Sequence, residues 1–197
     1  MDEVKHIGYH GTDGKFVSDI RSNGFRSNQR DDHWLGQGIY FYSTFELANW
    51  WICAKLKKLN QGDTGAVIKV ELTSKSDKVL DLDEPHQLDG FFQYIREKKV
   101  EFEKLGIPLD FTKGLKNDAN FGNKTNIRKQ CFFMDIMKKE LGIELIIRTF
   151  SKNHPSYASI KSYKAVKLPY NEKQLCASNN DIITIIKDLP SKRLENL

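Results

Sequence analysis

Cysteine, proline and long apolar runs are all scarce in this chain of 197 residues. Its 3 cysteines are odd in number and far apart, at Cys53, Cys131 and Cys176, which argues against a disulfide scaffold and a CxxC metal site. No segment approaches the roughly 18–20 consecutive apolar residues of a membrane helix, and the first residues lack the apolar stretch of a signal peptide. The 13 glycines and 5 prolines exclude a fibrous composition. We therefore expect a cytoplasmic protein that holds no metal and binds no membrane.

The composition that is present suits a folded protein with an anionic partner. Apolar residues make up 39% of the sequence and charged residues 29%, which supports a packed core rather than disorder. Basic residues outnumber acidic ones by 31 to 26, a net charge of +5. Such a surface favours a nucleotide, a nucleic acid or an acidic protein. An ordinary solvated, lysine-rich surface has the same composition, so charge alone does not decide.

Periodicity and turn residues predict one α+β domain over residues 1–197, with strands at its beginning and end and a helical insertion at about 84–142. Helices are expected at 15–24, from Ser43 or Thr44 to about Leu59, at 87–105, and from a cap at Asn126 to Gly142. Strands are expected at 5–11, 39–42, 66–73, 78–82, 144–150, 162–168, 174–177 and 182–186.

The first segment with chemical potential is Tyr9-His10-Gly11-Thr12, at the end of a predicted strand. It offers a ring nitrogen, an unobstructed backbone amide and a hydroxyl within one turn, and Gly11 lets a ligand approach the backbone closely. The simpler interpretation is a satisfied histidine at a strand end.

The second segment is Gly36-Gln37-Gly38-Ile39-Tyr40-Phe41, followed by Trp51 on the next helix. Its GxG leads into a strand rather than a helix, so it does not indicate a dinucleotide-binding loop. Tyr40 and Trp51 can instead face each other across a cleft, where two aromatic rings suit a flat cationic ring. Either residue taken alone is equally well a part of the core.

The third segment runs from Tyr170 through Glu172 and Gln174 to Cys176 at the start of a late strand. In a strand, residues 172, 174 and 176 share one face. A carboxylate or amide there can bind a ribose hydroxyl or stabilise positive charge that develops at a sugar carbon. Taken alone, Glu172 is most simply an exposed charge at a strand end.

In this order, the segments resemble the ADP-ribosyltransferase superfamily, in the branch shared by poly(ADP-ribose) polymerases and diphtheria-like toxins, which carries a His–Tyr–Glu triad. The segment Ile20–Phe25 also resembles the helix-then-Gly segment of that branch. The resemblance covers residues 6–54, and the final strands match loosely. It implies a split antiparallel β-sheet core with flanking helices.

The resemblance implies a role for each matching residue. His10 would bind the ribose next to adenine, the backbone of Gly11 would hold the nicotinamide carboxamide, and Thr12 would lie beside the ribose. Tyr40 would stack on the nicotinamide ring, and Trp51 would take the place of the family's second stacking aromatic.

Two further assignments stay open. Arg26 or Arg30, in the loop before Trp34, would neutralise the pyrophosphate, an assignment that rests on loop position and charge. The third triad residue is Glu172 if the Tyr-Asn-Glu segment is matched directly, or Gln174 if the count runs back from the closing strand. Glu172 implies ordinary transferase chemistry, whereas Gln174 implies a strong nucleophile as acceptor or an altered activity.

The resemblance therefore implies an enzyme that cleaves NAD and passes ADP-ribose to a macromolecule, without a metal. The small size suggests a bacterial or phage effector or toxin, for which an antitoxin or inhibitor protein would be a partner. Two alternatives stay open: an NAD glycohydrolase, and a non-catalytic module that binds NAD or nucleic acid.

Nucleic acid, RNA in particular, is slightly favoured over protein as the acceptor because lysines alternate with aromatics late in the chain, a pattern that suits single strands. An edge strand protected by lysines explains the pattern as well. The residues concerned are Lys152, His154, Tyr157, Lys161, Tyr163, Lys164 and Lys167.

Overall fold

The computed structural model describes residues 2–27, 30–58, 64–115, 118, 120–153 and 169–191. Its strands are β1 (Glu3–Asp13), β2 (Ile39–Tyr42), β3 (Gly65–Lys75), β4 (Val79–Asp81), β5 (Leu145–Asn153), β6 (Pro169–Ala177) and β7 (Ile183–Pro190). Its α-helices are α1 (Val17–Asn23), α2 (Phe45–Lys58), α3 (Pro85–Lys104) and α4 (Phe121–Leu141). The protein is therefore α+β, as the sequence predicts. The strand expected at 162–168 lies outside the described residues.

All seven strands belong to one sheet with the order β4-β5-β6-β2-β1-β3-β7. The expectation of an antiparallel sheet is wrong at one edge, because β4 and β5 pair in parallel while the other neighbours are antiparallel. Parallel neighbours need a long crossover connection, and α3 and α4 supply it. The segment interpreted from sequence as a helical insertion is thus the connection between these two strands.

The sheet is weakly joined between β1 and β2. Tyr9 and Tyr42 form the single Cα pair between these strands, whereas β1 and β3 pair continuously from Glu3 with Lys75 to Asp13 with Gly65. On the other side, β2 pairs along its whole length with β6, from Ile39 with Ala177 onward. The sheet therefore consists of two halves that meet at one point.

Helices cover the two faces of the sheet differently. Helix α1 and the following residues, including Phe25, pack against Phe41 and Leu175 on one face. On the opposite face, α3 and α4 pack over Ile146 of β5, and α2 packs over Val67 of β3. Strands β2 and β6, which carry the site candidates Tyr40, Glu172 and Gln174, lie in the middle of the sheet order, between β5 and β1.

Two predicted boundaries need correction. Helix α4 begins at Phe121 rather than after a cap at Asn126, and it ends as expected at Gly142, which has a φ of 64°. A positive φ favours glycine, which has no Cβ to clash with the preceding turn. Strand β6 begins at Pro169, so Glu172 lies inside a strand.

Candidate functional site

His10 lies on β1 where this strand separates from β2, and it bridges the gap. Its Nδ1 lies 2.8 Å from the backbone oxygen of Tyr40. A carbonyl oxygen only accepts, so Nδ1 carries the proton and donates it, which leaves Nε2 of a neutral ring as an acceptor. Burial lowers the pKa of His10 below its usual value, so the ring is neutral near pH 7. His10 thus presents the hydrogen-bond acceptor that a ribose hydroxyl requires.

The ring of His10 points away from the face that carries Tyr42. Tyr9 pairs with Tyr42, and successive side chains of a strand alternate between faces. His10 accordingly packs edge-on against Phe25 and Phe41, at centroid distances of 5.1 and 5.8 Å. The first triad candidate therefore meets β2 through the backbone oxygen of Tyr40 and the ring of Phe41, on the face opposite to Tyr42.

Gly11 and Thr12 are both buried, and Gly11 lies against α2. A Cβ at Gly11 would lie 2.6 Å from the backbone oxygen of Ala48 and 3.0 Å from Cβ of Ile52. Glycine is therefore required here because the helix crosses the strand closely. The predicted approach of a ligand to the Gly11 backbone stays a prediction.

Tyr40 braces the loop that precedes its own strand. Its hydroxyl accepts a hydrogen bond from the backbone N–H of Leu35 at 2.8 Å and donates one to the backbone oxygen of Gly36 at 2.7 Å. His33 stacks on its ring, with centroids 5.2 Å apart and planes at 27°. Burial raises the pKa of the Tyr40 phenol, so it remains a donor. One face of the ring predicted to stack on nicotinamide is thus already occupied by His33.

The same loop is held from the other side by α4. Asp135 accepts a hydrogen bond from the backbone N–H of Gln37 at 2.7 Å, and Lys138 donates to the backbone oxygen of Gln37 at 2.5 Å. Lys138 is 9% exposed and also contacts Sγ of Cys176 at 3.5 Å. Sequence reasoning missed these two residues, because nothing in the helix pattern of α4 shows that it ends against this loop.

Glu172 and Gln174 share one face of β6, as their spacing predicts. Gln174 donates a hydrogen bond from Nε2 to Oε1 of Glu172. Glu172 is 2% exposed, so the simple interpretation as an exposed charge is wrong. A buried carboxylate loses its hydrogen bonds to water and must replace them with hydrogen bonds to partners in the protein. The two alternatives for the third triad position are therefore in direct contact.

A row of polar and aromatic residues crosses the sheet at Gln174. Gln174 pairs with Tyr42 on β2 and with Arg148 on β5, and Tyr42 pairs with Tyr9 on β1. Paired residues share a face, so all four side chains belong to the face that carries Glu172. Tyr40 lies one pleat further along, opposite Cys176. The structure therefore brings Tyr42 closer to Glu172 than Tyr40, which the motif alone does not reveal.

Trp51 reaches this face from α2. It is half-buried against the small core cluster beneath α2, beside Tyr9, Tyr42 and Phe45. The ammonium of Lys55 lies 4.8 Å from the centroid of its ring. Trp51 thus faces the aromatic residues at the junction of β1 and β2. The three- to four-residue spacing of apolar positions along α2 could have predicted that orientation.

The two loop arginines predicted to bind a pyrophosphate are on the surface and paired with acids. Arg26 contacts Asp19 at 2.9 Å, and Arg30 contacts Asp32 at 2.7 Å. The Asp32 carboxylate raises the pKa of Arg30. A phosphate group would have to displace these carboxylates, which is a modest cost for exposed pairs.

Three observations concern the remaining predictions. Among the residues that the structure describes, no group of three or more His, Cys, Asp or Glu side chains is arranged to hold a metal ion. In the same part of the chain, every helix is too short or too polar to traverse a bilayer. The lysine- and tyrosine-rich segment predicted to bind nucleic acid falls mostly at 154–168, outside the described residues.

The comparisons with known proteins give one relative. The chain is 36% identical over 110 residues to an uncharacterized protein of Methanocaldococcus jannaschii. The match covers 53% of this chain and 51% of the archaeal protein, so the chain spans about half of that relative's length. No model of a known protein family matches the sequence, and no solved structure does.

Proposed function

We propose that this protein is an ADP-ribosyltransferase, which cleaves the nicotinamide–ribose bond of NAD and transfers ADP-ribose to a macromolecular acceptor. The observation that carries the proposal is the buried carboxylate of Glu172, hydrogen-bonded to Gln174 beside the junction of the two half-sheets. Burying a carboxylate is costly unless partners in the protein compensate, so a buried glutamate in such a place calls for a functional explanation. The fold proposed with this function is the split-sheet fold that the resemblance implies.

The proposed reaction breaks the bond between C1′ of the ribose and the pyridinium nitrogen, and nicotinamide leaves as a neutral molecule. Positive charge then develops at C1′, and the Glu172 carboxylate stabilises it and accepts a hydrogen bond from a ribose hydroxyl. Gln174 positions that carboxylate through its Nε2 donor. The acceptor nucleophile forms the new bond at C1′ and loses its proton to solvent.

The residues around the junction support this assignment of roles. His10 lies at the junction with its ring on the opposite face from Glu172, where it is neutral and offers Nε2 as an acceptor for the adenosine ribose. Trp51 and Tyr42 supply aromatic rings on the face of Glu172, where a cationic nicotinamide ring gains from stacking and cation–π attraction. Gly11 and Thr12 contribute backbone and hydroxyl groups in the same stretch of β1. This binding would be stronger for the cationic transition state than for NAD itself.

The acceptor is a macromolecule, with nucleic acid, RNA in particular, favoured over protein. The proposal includes a setting in the cytoplasm, as a bacterial or phage effector or toxin with an antitoxin or inhibitor protein as partner. These parts rest on composition and on the resemblance.

The experiment uses NAD labelled in adenine, mixed with the purified protein and separately with RNA, DNA and cell extract. Release of nicotinamide and transfer of label are followed together. Glu172→Gln removes the charge at nearly constant shape, and we expect a loss of about 100-fold or more in nicotinamide release. The matched control is Glu71→Gln, which makes the same chemical change at a surface carboxylate paired with Lys5.

The outcomes separate the proposal from its alternatives. Label on one class of macromolecule, lost in Glu172→Gln and kept in Glu71→Gln, supports the transferase. Nicotinamide release without transfer to any acceptor indicates a glycohydrolase. Nucleotide binding with no release indicates a non-catalytic module, and equal release by wild type and Glu172→Gln contradicts the role of the carboxylate.

A further inference from the structure

A second candidate site lies between α3, α4 and β5. It is a cavity of about 520 Å³, within the range of small-molecule sites. Its wall combines aromatic with basic side chains and lies on the crossover connection, which the proposed chemistry does not use. The residues that matter are Trp34, Phe92, Phe150, Arg96, Lys99 and Lys129.

The charge of this cavity has one sign. None of its lining residues in the described part of the chain is acidic, while Arg96, Lys99 and Lys129 are joined there by Arg148. The neighbouring Lys99 side chain lowers the pKa of Lys129, which shows that the two ammonium groups repel each other. An anion placed between them would relieve that repulsion. The charge therefore matches a phosphate.

The aromatic residues suit a planar ring rather than an acyl chain. Phe92 is 49% exposed, so its face is open to a ligand. Trp34 and Phe150 meet edge-on, at a centroid distance of 5.2 Å and an angle of 72°. Stacking on such side chains is the usual way in which single-stranded nucleic acids bind without sequence preference.

The cavity adjoins the candidate site through the pairing of β5 with β6. Phe150, in the wall of the cavity, pairs with Glu172, and Arg148 pairs with Gln174. Paired residues lie on the same face, with Cα atoms about 4.5–5.5 Å apart. A nucleotide held in the cavity would thus lie close to the carboxylate assigned to the reaction.

We propose that this cavity binds a nucleotide unit of single-stranded nucleic acid, with the base against Phe92 and Trp34 and the phosphate between Lys99 and Lys129. The site positions the acceptor strand beside Glu172. This inference rests on the proposed function for its role, although binding itself is measurable without catalysis.

The test measures the binding of fluorescent RNA and DNA single strands of about ten nucleotides by anisotropy over a range of salt concentrations. For Lys99→Gln/Lys129→Gln we expect about 10-fold weaker binding and a salt slope less steep by about 0.7, since the two lysines neutralise one phosphate and each neutralised phosphate of a single strand contributes about 0.7. The control Lys57→Gln/Lys75→Gln makes the same change of net charge on α2 and β3.

Removal of the stacking surface is tested separately. For Phe92→Leu we expect binding to weaken about 5-fold or more at an unchanged salt slope. Its control, Phe16→Leu, changes a phenylalanine of similar exposure, 48%, outside the cavity. Without an added strand, both cavity variants should keep nicotinamide release at the wild-type rate, with water taking the ADP-ribosyl group, and with an added strand they should lose label transfer.

Failure of this inference is distinguishable from failure of the proposed function. Binding and salt slope equal to wild type in the cavity variants, with nicotinamide release present, would overturn the inference and leave the function standing. Strand binding that the cavity substitutions weaken, in a protein that releases no nicotinamide, would support the site and contradict the proposed function. Two further outcomes would overturn the inference. If NAD displaces the strand and its own binding is weakened by Lys99→Gln/Lys129→Gln, the cavity is a cofactor subsite. If polyglutamate does so with the same sensitivity, the cavity binds an acidic protein.

Discussion

The substitution Tyr40→Phe distinguishes the contribution of the Tyr40 hydroxyl from that of its ring, and it tests whether the hydroxyl stabilises the preceding loop. The substitution keeps the stacked ring against His33 and removes both hydrogen bonds to the loop. It leaves the N–H of Leu35 and the backbone oxygen of Gly36 without that partner, and both residues are buried, Leu35 completely.

The expected cost follows from those two groups, of which the Gly36 oxygen keeps a long contact with Sγ of Cys176 at 4.0 Å. A buried donor or acceptor without a partner costs about 1–3 kcal/mol. Some relaxation of the loop is available, so we expect a loss of about 2–4 kcal/mol in the free energy of unfolding. For a chain of this size, about 1 kcal/mol lowers the melting temperature by about 2–4 °C, so Tyr40→Phe should melt at least about 4 °C lower.

Urea unfolding followed by tryptophan fluorescence, together with a thermal scan, measures this loss. The matched control is Tyr9→Phe. Tyr9 is a half-buried tyrosine of the neighbouring strand, and its ring, which the substitution keeps, lies 5.9 Å from Nζ of Lys69. We expect the control to lose under about 0.5 kcal/mol. A Tyr40→Phe protein as stable as wild type, or an equal loss in Tyr9→Phe, would refute the assignment of Tyr40 as a brace.

The remaining predictions concern a glycine, a histidine and a thiol. Gly36→Ala should lower the melting temperature more than Gly114→Ala does. Both glycines have a φ near 76°, but only a Cβ at Gly36 would clash with Asp135, at 2.5 Å from its Oδ1. Equal shifts in the two variants would contradict the clash. Burial lowers the pKa of His10, so as the pH falls the unfolded chain takes up a proton before the folded protein does. Stability should therefore fall as the pH drops below about 6.5, and more in wild type than in His10→Asn. Equal losses of melting temperature in the two proteins would contradict this prediction. Burial raises the pKa of Cys131 to about 12, so iodoacetamide at pH 8 should modify it only after unfolding, as peptide mass spectrometry would show.

The elements predicted well are those set by local signals. Strand β2 lies at Ile39–Tyr42 as expected, because four β-prone residues are bounded by Gly38 and Ser43. Helix α4 stops at Gly142 for an equally local reason, since the chain must take a positive φ there.

The position of Glu172 depends on a contact that is distant in sequence. The sequence predicts a strand from Gln174 with Glu172 at its end, whereas β6 begins earlier and includes Pro169 and Asn171. In the structure these residues pair only with β5, because β2 ends at Tyr42 opposite Gln174. A proline is tolerated where a strand has no neighbour on one side, and pairing with β5 carries β6 beyond the end of β2.

The site was predicted in part for the same reason. The spacing of Glu172 and Gln174 placed them on one face, which the structure confirms. The prominence of Tyr42 and the clamp from Lys138 depend on sheet order and on the crossover helices, which no single segment of sequence specifies. Residues near each other along the chain were therefore placed better than residues brought together by register.

The contact between Glu172 and Gln174 changes the question that the sequence left open. An amide donor on a carboxylate oxygen restricts the orientation of that carboxylate, so the two residues have complementary roles in one site. In the proposed reaction, Glu172 is the group that meets the developing charge, and Gln174 is a positioning residue that acts through it. A substitution at Gln174 should accordingly lower kcat by less than Glu172→Gln does. Combined with Glu172→Gln it should add less than its separate effect, because residues in one hydrogen-bonded unit are not additive.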